Sequence, residues 1–519
     1  CEYFDGMGDW VRAGCSMLKE RAGLLAGLVL FLVIVAIPVD PTVMAPAARY
    51  TAAVTALMVI WWVTEPIPIY ATALLPLFLF PLLGVLDPHL AAASYADQTV
   101  FLFMGGFLIA AAMQRWNLHR RIALQIICRT GTSSKRLIFG FMVATAFLSM
   151  WISNTASAMM MIPIAFAIVS TLMPCTGDNT CDTDEERGFA TCLLLAVAFA
   201  GTIGGMATLI GTPPNGILLA QLETLFPQAP TIDFFSWMVF AIPFSTIFLI
   251  LAWAWLTMVA FRKLPRVISQ GGEIIRGELS ALGGLKGGEK WTLLVFCGVA
   301  LAWIFRTPKV IGELVIPGIN TFLPAITDPA IAIAGAVLLF IIPADGQSGV
   351  YTLDWDTAKT IPWGILILFG GGICLSEAFI MSGLADIIAR HLTVLEVLPP
   401  ILIILAISLL ITYLNEVVSN TAIASIMIPL MAITAVSMEI NPMLFMITAA
   451  LASSLGFMLP VGTPPNAIAY GTGYISVSEM VKAGFALNII GVVLVTVFME
   501  LIVPAVMGIQ PGLPDWAIL

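Results

Sequence analysis

The sequence predicts an all-α polytopic membrane protein: about eleven transmembrane helices plus two re-entrant hairpins, in two halves inverted relative to each other. Three observations carry this. Of 519 residues, 60% are hydrophobic and 10% charged, whereas soluble chains carry about a quarter charged residues. Mean hydropathy is +1.02, and many apolar stretches reach the roughly 20 residues that cross a bilayer. Third, two polar words recur inside apolar sequence. Ser153-Asn154-Thr155-Ala156 returns as Ser419-Asn420-Thr421-Ala422, 266 positions later, and eight of the twelve residues in 153–164 and 419–430 are identical. Gly211-Thr212-Pro213-Pro214-Asn215 returns as Gly462-Thr463-Pro464-Pro465-Asn466.

Residues 1–22 read as an N-terminal cytoplasmic segment; they lack the apolar core and cleavage site of a signal peptide. Residues 23–136 hold four spans, the last ending at Arg115. Basic residues cluster at Arg115, Arg120, Arg121, Arg129, Lys135 and Arg136, and again at Arg262, Lys263, Arg266, Arg276, Lys286 and Lys290. The positive-inside rule puts both clusters in the cytoplasm. Three apolar stretches lie between them, 137–173, 189–225 and 235–261, and three full crossings would separate the clusters. Residues 137–173 therefore enter and leave on one side, as a hairpin with its tip at 153–155. Such backbone is tolerated at membrane depth only where protein buries it or it lines a wet cavity. Region 137–261 also carries an unwound helix at 211–215. The glycine-rich stretch 262–290 reads as a cytoplasmic linker, and 291–396 supplies three more spans. Region 397–519 repeats the plan, with a hairpin tip at 419–421, an unwound helix at 462–466 and an outside C-terminus. The offset extends upstream, where Gly105 aligns with Gly371 and Leu118 with Leu384. Gly105-Gly106 and Gly371-Gly372 read as close helix contacts.

Paired polar, helix-breaking words inside apolar sequence mark the binding site of a transporter built from two repeats. A hairpin tip exposes backbone N–H donors at the start of a helix, whose positive end favours an anion. Two tips facing across the midplane would grip a molecule with an anionic group at each end. Neither tip has Lys or Arg within several residues, so a dianion there would need co-bound cations to offset its desolvation. Ser149 and Ser153 share a helix face, and Asn154 with Gly211 would complete an oxygen cage. Asn415, Ser419, Asn420 and Gly462 are the equivalents. Proline explains the helix breaks, since it removes a donor and clashes with the preceding turn. Glu416 is an acid in apolar sequence three residues before the second tip; it could bind a proton, attract the cation or support the structure. Its first-half counterpart is Met150, which favours support. Glu65 and Glu377 are further intramembrane acids.

The same residues exclude other classes. Three histidines, His89, His119 and His391, form no metal spacing, and no nucleophile–base pair is evident for an intramembrane hydrolase. Cys175 and Cys181 share a cytoplasmic loop and read as reduced thiols. A net charge of −9 gives no reason to expect nucleic acid as a partner.

At these words, and at Trp116-Asn117-Leu118-His119-Arg120-Arg121-Ile122-Ala123, nearly the whole chain resembles the divalent anion/sodium symporter family, carriers of dicarboxylates, citrate and sulfate. The resemblance implies a homodimer in the cell membrane, with a scaffold domain (23–136 and 291–396) and a transport domain (137–261 and 397–519) that moves as an elevator. It implies substrate contacts from Asn154, Thr155, Thr212, Asn420, Thr421 and Thr463. It implies one sodium site at Ser149, Ser153, Asn154 and Gly211 and another at Ser419, Asn420 and Gly462. The family often has a hydroxyl where this chain has Asn415, whose amide oxygen can also coordinate sodium. The expectation is sodium-coupled import of a small dianion, a C4 dicarboxylate such as succinate, malate or fumarate, with co-transported sodium ions and no organic cofactor. A sodium-independent exchanger, a proton-coupled carrier using Glu416, and a citrate- or sulfate-preferring carrier are the alternatives; a channel lacking sealed tips is another class.

Overall fold

Lipid cannot hydrogen-bond a backbone, so an apolar segment must satisfy its own N–H and C=O groups, and it does so as a helix. The computed structural model describes residues 21–40, 44–131, 133–172, 184–266, 271–285, 287–311, 314–345, 349–385, 387–388, 399–510 and 512–518. Of the described residues, 74% are helical. Among the described residues, eight helices are long and apolar enough to cross a bilayer, and six apolar helices are shorter. A small antiparallel ribbon, Lys309–Ile311 with Leu314–Ile316, and an isolated bridge between Pro343 and Tyr351 depart from all-α structure among the described residues. Cys175, Cys181, His391 and nearly all of 1–22 lie outside the described residues.

The stretch 137–173 folds as two helices, Ser134–Ser149 and Asn154–Leu172, broken at 150–153. The stretch 397–437 does the same, as Pro400–Leu414 and Asn420–Ser437 broken at 415–419. An interrupted helix follows each hairpin: Asp184–Gly205 resumes as Pro213–Leu225, and Pro442–Ala452 resumes as Pro464–Tyr470. The unwound stretches are 206–212 and 453–463, upstream of the expected 211–215 and 462–466. Proline has no N–H to satisfy and a helix-compatible φ, so it suits a first helical turn. Pro213-Pro214-Asn215 and Pro464-Pro465-Asn466 therefore open the new helices instead of remaining unwound. Each half then ends on a long helix that relaxes into a π turn, Phe234–Ala254 into Trp255–Ala260 and Val477–Val497 into Phe498–Ile502.

Further matched features lie 266 residues apart. Asn117 (φ 56°) and Gly383 (φ 73°) both take the left-handed conformation, which Asn and Gly adopt most cheaply. Gly105 abuts Ala332 and Gly371 abuts Ala73 so closely that a Cβ would collide, whereas Gly106 faces Ile210 and Gly372 faces Ser425. The helix Asp184–Gly205 is the most enclosed, with 94% of its apolar window buried, while Phe234–Ala260 and Val477–Met507 are 44% and 39% buried. Their outward Ile250, Leu251 and Val493 are exposed and suit lipid.

Charged groups gather at the ends of the helices. Arg121 pairs with buried Glu289 and donates to the Gly283 carbonyl at 2.9 Å, and Arg120 pairs with Glu278. The 262–290 segment is thus more than a solvated connection: Gly271–Ala281 is helical and clipped to Leu118–Thr130. Arg306 contacts Asp328 at 2.5 Å and Asp233 at 3.7 Å, joining the start of Phe234–Ala254 to the end of Gly287–Ile304.

Candidate functional site

All four duplicated words border one cavity of about 490 Å³. It is lined by Ser153, Asn154 and Thr155, by Gly211, Thr212 and Pro213, by Ser419, Asn420 and Thr421, and by Gly462, Thr463 and Pro464. Helices Asn154–Leu172, Pro213–Leu225 and Asn420–Ser437, of 19, 13 and 18 residues, all start at this cavity. Their free N–H groups and positive ends converge there. No Lys, Arg or His lines the space, and Glu65 is its acid.

At the first tip, Ser153 Oγ accepts from the Ala156 N–H at 3.3 Å, capping the new helix. Ser149, fully buried behind the tip, lies 2.6 Å from the Asn154 amide. The Asn154 amide nitrogen donates to Ser149 Oγ at 2.6 Å and to the Gly201 and Gly211 carbonyls at 3.2 Å. Ser149, Asn154 and Gly211 are therefore brought together, and Ser153 lies on the cavity side.

The second tip carries unsatisfied polar atoms. Asn420 Oδ1, Thr463 Oγ1 and both amide atoms of Asn415 are buried without a hydrogen-bond partner. A buried orphan costs about 1–3 kcal/mol, so this grouping calls for a polar or ionic ligand. Asn415 is fully buried and does not line the cavity; Ser419, Asn420, Thr421, Gly462 and Thr463 do.

The two breaks share one pattern of lacing. Asn215 Nδ2 donates to the Thr208 carbonyl at 2.8 Å and the Gly205 carbonyl at 3.5 Å; Asn466 Nδ2 donates to Leu459 and Gly456, both at 3.1 Å. The targets sit seven and ten residues upstream in each half. The fourth residue of each Thr-Pro-Pro-Asn word thus holds the unwound carbonyls in place, a role sequence reading did not give it. The supports behind the breaks differ. Trp237 donates to the Met206 carbonyl at 3.1 Å in the first half. In the second half Glu416, 4% exposed, accepts from the N–H groups of Phe457 (2.9 Å), Met458 (3.0 Å) and Leu459 (2.9 Å) and from Asn488 Nδ2 (2.6 Å). Oriented backbone N–H groups form an anion-binding nest; here the anion is a side chain of the chain itself. Of the three roles open to Glu416, this geometry supports the structural one.

Other walls come from outside the hairpins: Glu65, Tyr70, Phe107 and Ile365. Glu65 stood out in the sequence as an intramembrane acid, but nothing in the local pattern placed it beside the tips. Trp151 packs edge-on against Phe296 at 4.9 Å, away from the cavity lining.

A family profile described as the sodium:sulfate symporter transmembrane region matches residues 18–508. The chain belongs to the sodium:sulfate symporter family. It is therefore of a transporter family and not an enzyme, and a multi-pass membrane protein. It is 41% identical over 496 residues to a sodium-dependent dicarboxylate transporter, SdcS, of Staphylococcus saprophyticus, covering 95% of this chain and 93% of the relative. The SdcS of Staphylococcus aureus strain NCTC 8325 is equally similar, 41% identical with the same coverage. Among solved structures, Neisseria gonorrhoeae MtrF, described with a class of antimetabolite efflux pumps, superposes with a TM-score of 0.54 at 12% identity, covering 82% of this chain and 85% of its own. The Alcanivorax borkumensis YdaH transporter gives 0.50 at 15% identity, covering 78% and 85%. At such identities these two speak for the fold alone.

Proposed function

We infer that the chain is a sodium-coupled importer of C4 dicarboxylates such as succinate, malate or fumarate, working by elevator movement of a transport domain. The observation that carries this is the single cavity bordered by both hairpin tips and both helix breaks, rich in N–H and hydroxyl donors and free of lining cations. A dianion there is held by dipoles and neutral donors, and co-bound cations balance its charge. The staphylococcal relatives, transporters of dicarboxylates that depend on sodium by name, supply the substrate class and the ion. About 490 Å³ exceeds the size of a four-carbon dianion and leaves room for ions and water.

In this reading Asn154, Thr155, Thr212, Asn420, Thr421 and Thr463 contact substrate. Ser149, Ser153, Asn154 and Gly211 hold one sodium, and Asn415, Ser419, Asn420 and Gly462 the other. Asn154 and Asn420 belong to both sets, so a bound sodium orients the amide that meets the carboxylate. Occupancy of either partner then strengthens the other, reciprocally. The halves are inverted repeats making eleven spans. Residues 23–136 and 291–396 are the scaffold, 137–261 and 397–519 the moving domain, and 262–290 the cytoplasmic linker. Two chains form a homodimer in the plasma membrane, N-termini inside and C-termini outside. Side-chain support for Glu416 within the fold weakens the proton-coupled alternative.

The test is radiolabelled succinate uptake into proteoliposomes under an inward sodium gradient, with potassium as control, and with and without internal succinate. Accumulation driven by sodium into succinate-free vesicles is expected. Uptake indifferent to sodium, or seen only with internal dicarboxylate, would replace the symporter with an exchanger.

A further inference from the structure

Glu65 closes the helix Pro46–Thr64 at φ 47° and ψ 47°. A left-handed residue at a helix end is usually Gly or Asn, because Cβ makes it costly for others. Pro66 follows, and a residue before proline is pushed toward extended backbone. The local fold therefore gives no reason for a glutamate here. Its side chain is exposed to the cavity that holds both tips. Among the described residues its carboxylate has no hydrogen-bond or ion-pair partner, although its N–H bonds the Trp61 carbonyl at 2.9 Å. A residue held in a sparsely populated conformation beside a ligand site, with a charged group left free, points to function.

The electrostatic balance says which function. No Lys, Arg or His lines the cavity, so charge there is set by the cargo, the co-bound cations and Glu65. Two sodium ions cancel a dianion; the loaded site is then neutral and Glu65 meets no net charge. A trianion leaves one uncancelled negative charge in the same space. Glu65 and both tips border this one cavity of about 490 Å³, so the extra charge and Glu65 interact at a separation taken as about 9 Å. At an effective dielectric of roughly 20 to 40, one such repulsion changes an equilibrium by roughly 5- to 20-fold. We propose that Glu65 is a charge filter, a specificity-determining residue that makes this cavity reject trianionic carboxylates such as citrate in favour of dianions. The proposal rests on the dianion-carrier reading above.

The experiment is competitive uptake of labelled citrate and succinate into proteoliposomes by the full-length wild type, Glu65→Gln, Glu65→Asn and Glu65→Asp, under one sodium gradient. The readout is the citrate-to-succinate ratio of uptake efficiencies, at about pH 8, where citrate is a trianion, and at about pH 5.5, where much of it is a dianion. Glu65→Gln and Glu65→Asn should raise the ratio roughly 5- to 20-fold at the higher pH and much less at the lower. Glu65→Asp, which keeps the charge, should leave the ratio near wild type. Asn tolerates the left-handed backbone, so Glu65→Asn reports on charge even where Glu65→Gln folds poorly. An unchanged ratio in both neutral variants, or an equal rise in Glu65→Asp, would overturn the filter. Wild-type protein that takes up no succinate would overturn the functional reading and the filter with it.

Discussion

Replacing Glu416 with Gln separates a structural latch from a proton carrier. The carboxylate takes four donors: backbone N–H groups at 2.9, 3.0 and 2.9 Å and the Asn488 amide at 2.6 Å. Gln presents one oxygen and one NH2 group to that nest, so about half of the donors lose their acceptor and one faces another donor. Each buried donor left unpaired costs about 1–3 kcal/mol. With about two donors left unpaired, the expected destabilisation is about 2–6 kcal/mol. The consequence is local, because residues 457–459 hold the second break that borders Gly462 and Thr463. Thermal denaturation of purified protein, followed by the monodisperse fraction after heating, should show a clear fall in Tm. Sodium-driven succinate uptake should fall at least tenfold at every pH tested. A variant with wild-type Tm whose uptake is normal but no longer responds to a proton gradient would refute the latch and make Glu416 a proton carrier.

Three more outcomes follow from the same geometry. Gly204 lies against the Ala146 backbone of the first hairpin, so Gly204→Ala should overpack that crossing, cost about 1–3 kcal/mol in thermal unfolding and suppress uptake. Asn466→Ala frees the Gly456 and Leu459 carbonyls and should raise the half-saturating sodium concentration by about tenfold, read from sodium titrations of uptake. Burial, reinforced by Arg120 and against the pull of the Met113 carbonyl, holds the His119 imidazole below the ordinary histidine range. The unfolded chain then binds a proton that the folded one refuses, so stability should decline as pH drops below about 6.5. Melting curves of His119→Gln should decline less over that window, and an identical slope in both proteins would remove His119 from the explanation.

What the sequence made legible was whatever repeats or obeys the bilayer. Two copies of Ser-Asn-Thr-Ala marked the helix breaks at 150–153 and 415–419, and two basic clusters gave the expectation that 137–173 folds back on itself. The register of the helix breaks was not legible, because the proline words mark both a stop and a start, and the first-turn preference of proline decided for the start. Asn215 and Asn466 belong to those words, yet their side chains act on carbonyls seven and ten residues upstream, in segments that become neighbours only once the helix is interrupted. Glu416 was visible as an acid in apolar sequence; its partners, Asn488 and the N–H groups of 457–459, come from elsewhere in the chain. The same holds for Glu65, which reaches the tips across nearly 90 residues of sequence from the first and more than 350 from the second.

The central claim is that both hairpin tips grip one and the same dianion. Calorimetric titration of succinate into purified protein, in sodium and in potassium, compares wild type with Asn154→Ala and Asn420→Ala. One sodium-dependent site per chain is expected in the wild type, weakened about ten- to a hundredfold in each variant, as loss of a hydrogen bond to a charged group requires. Wild-type affinity in either variant, or two independent sites per chain, would contradict it.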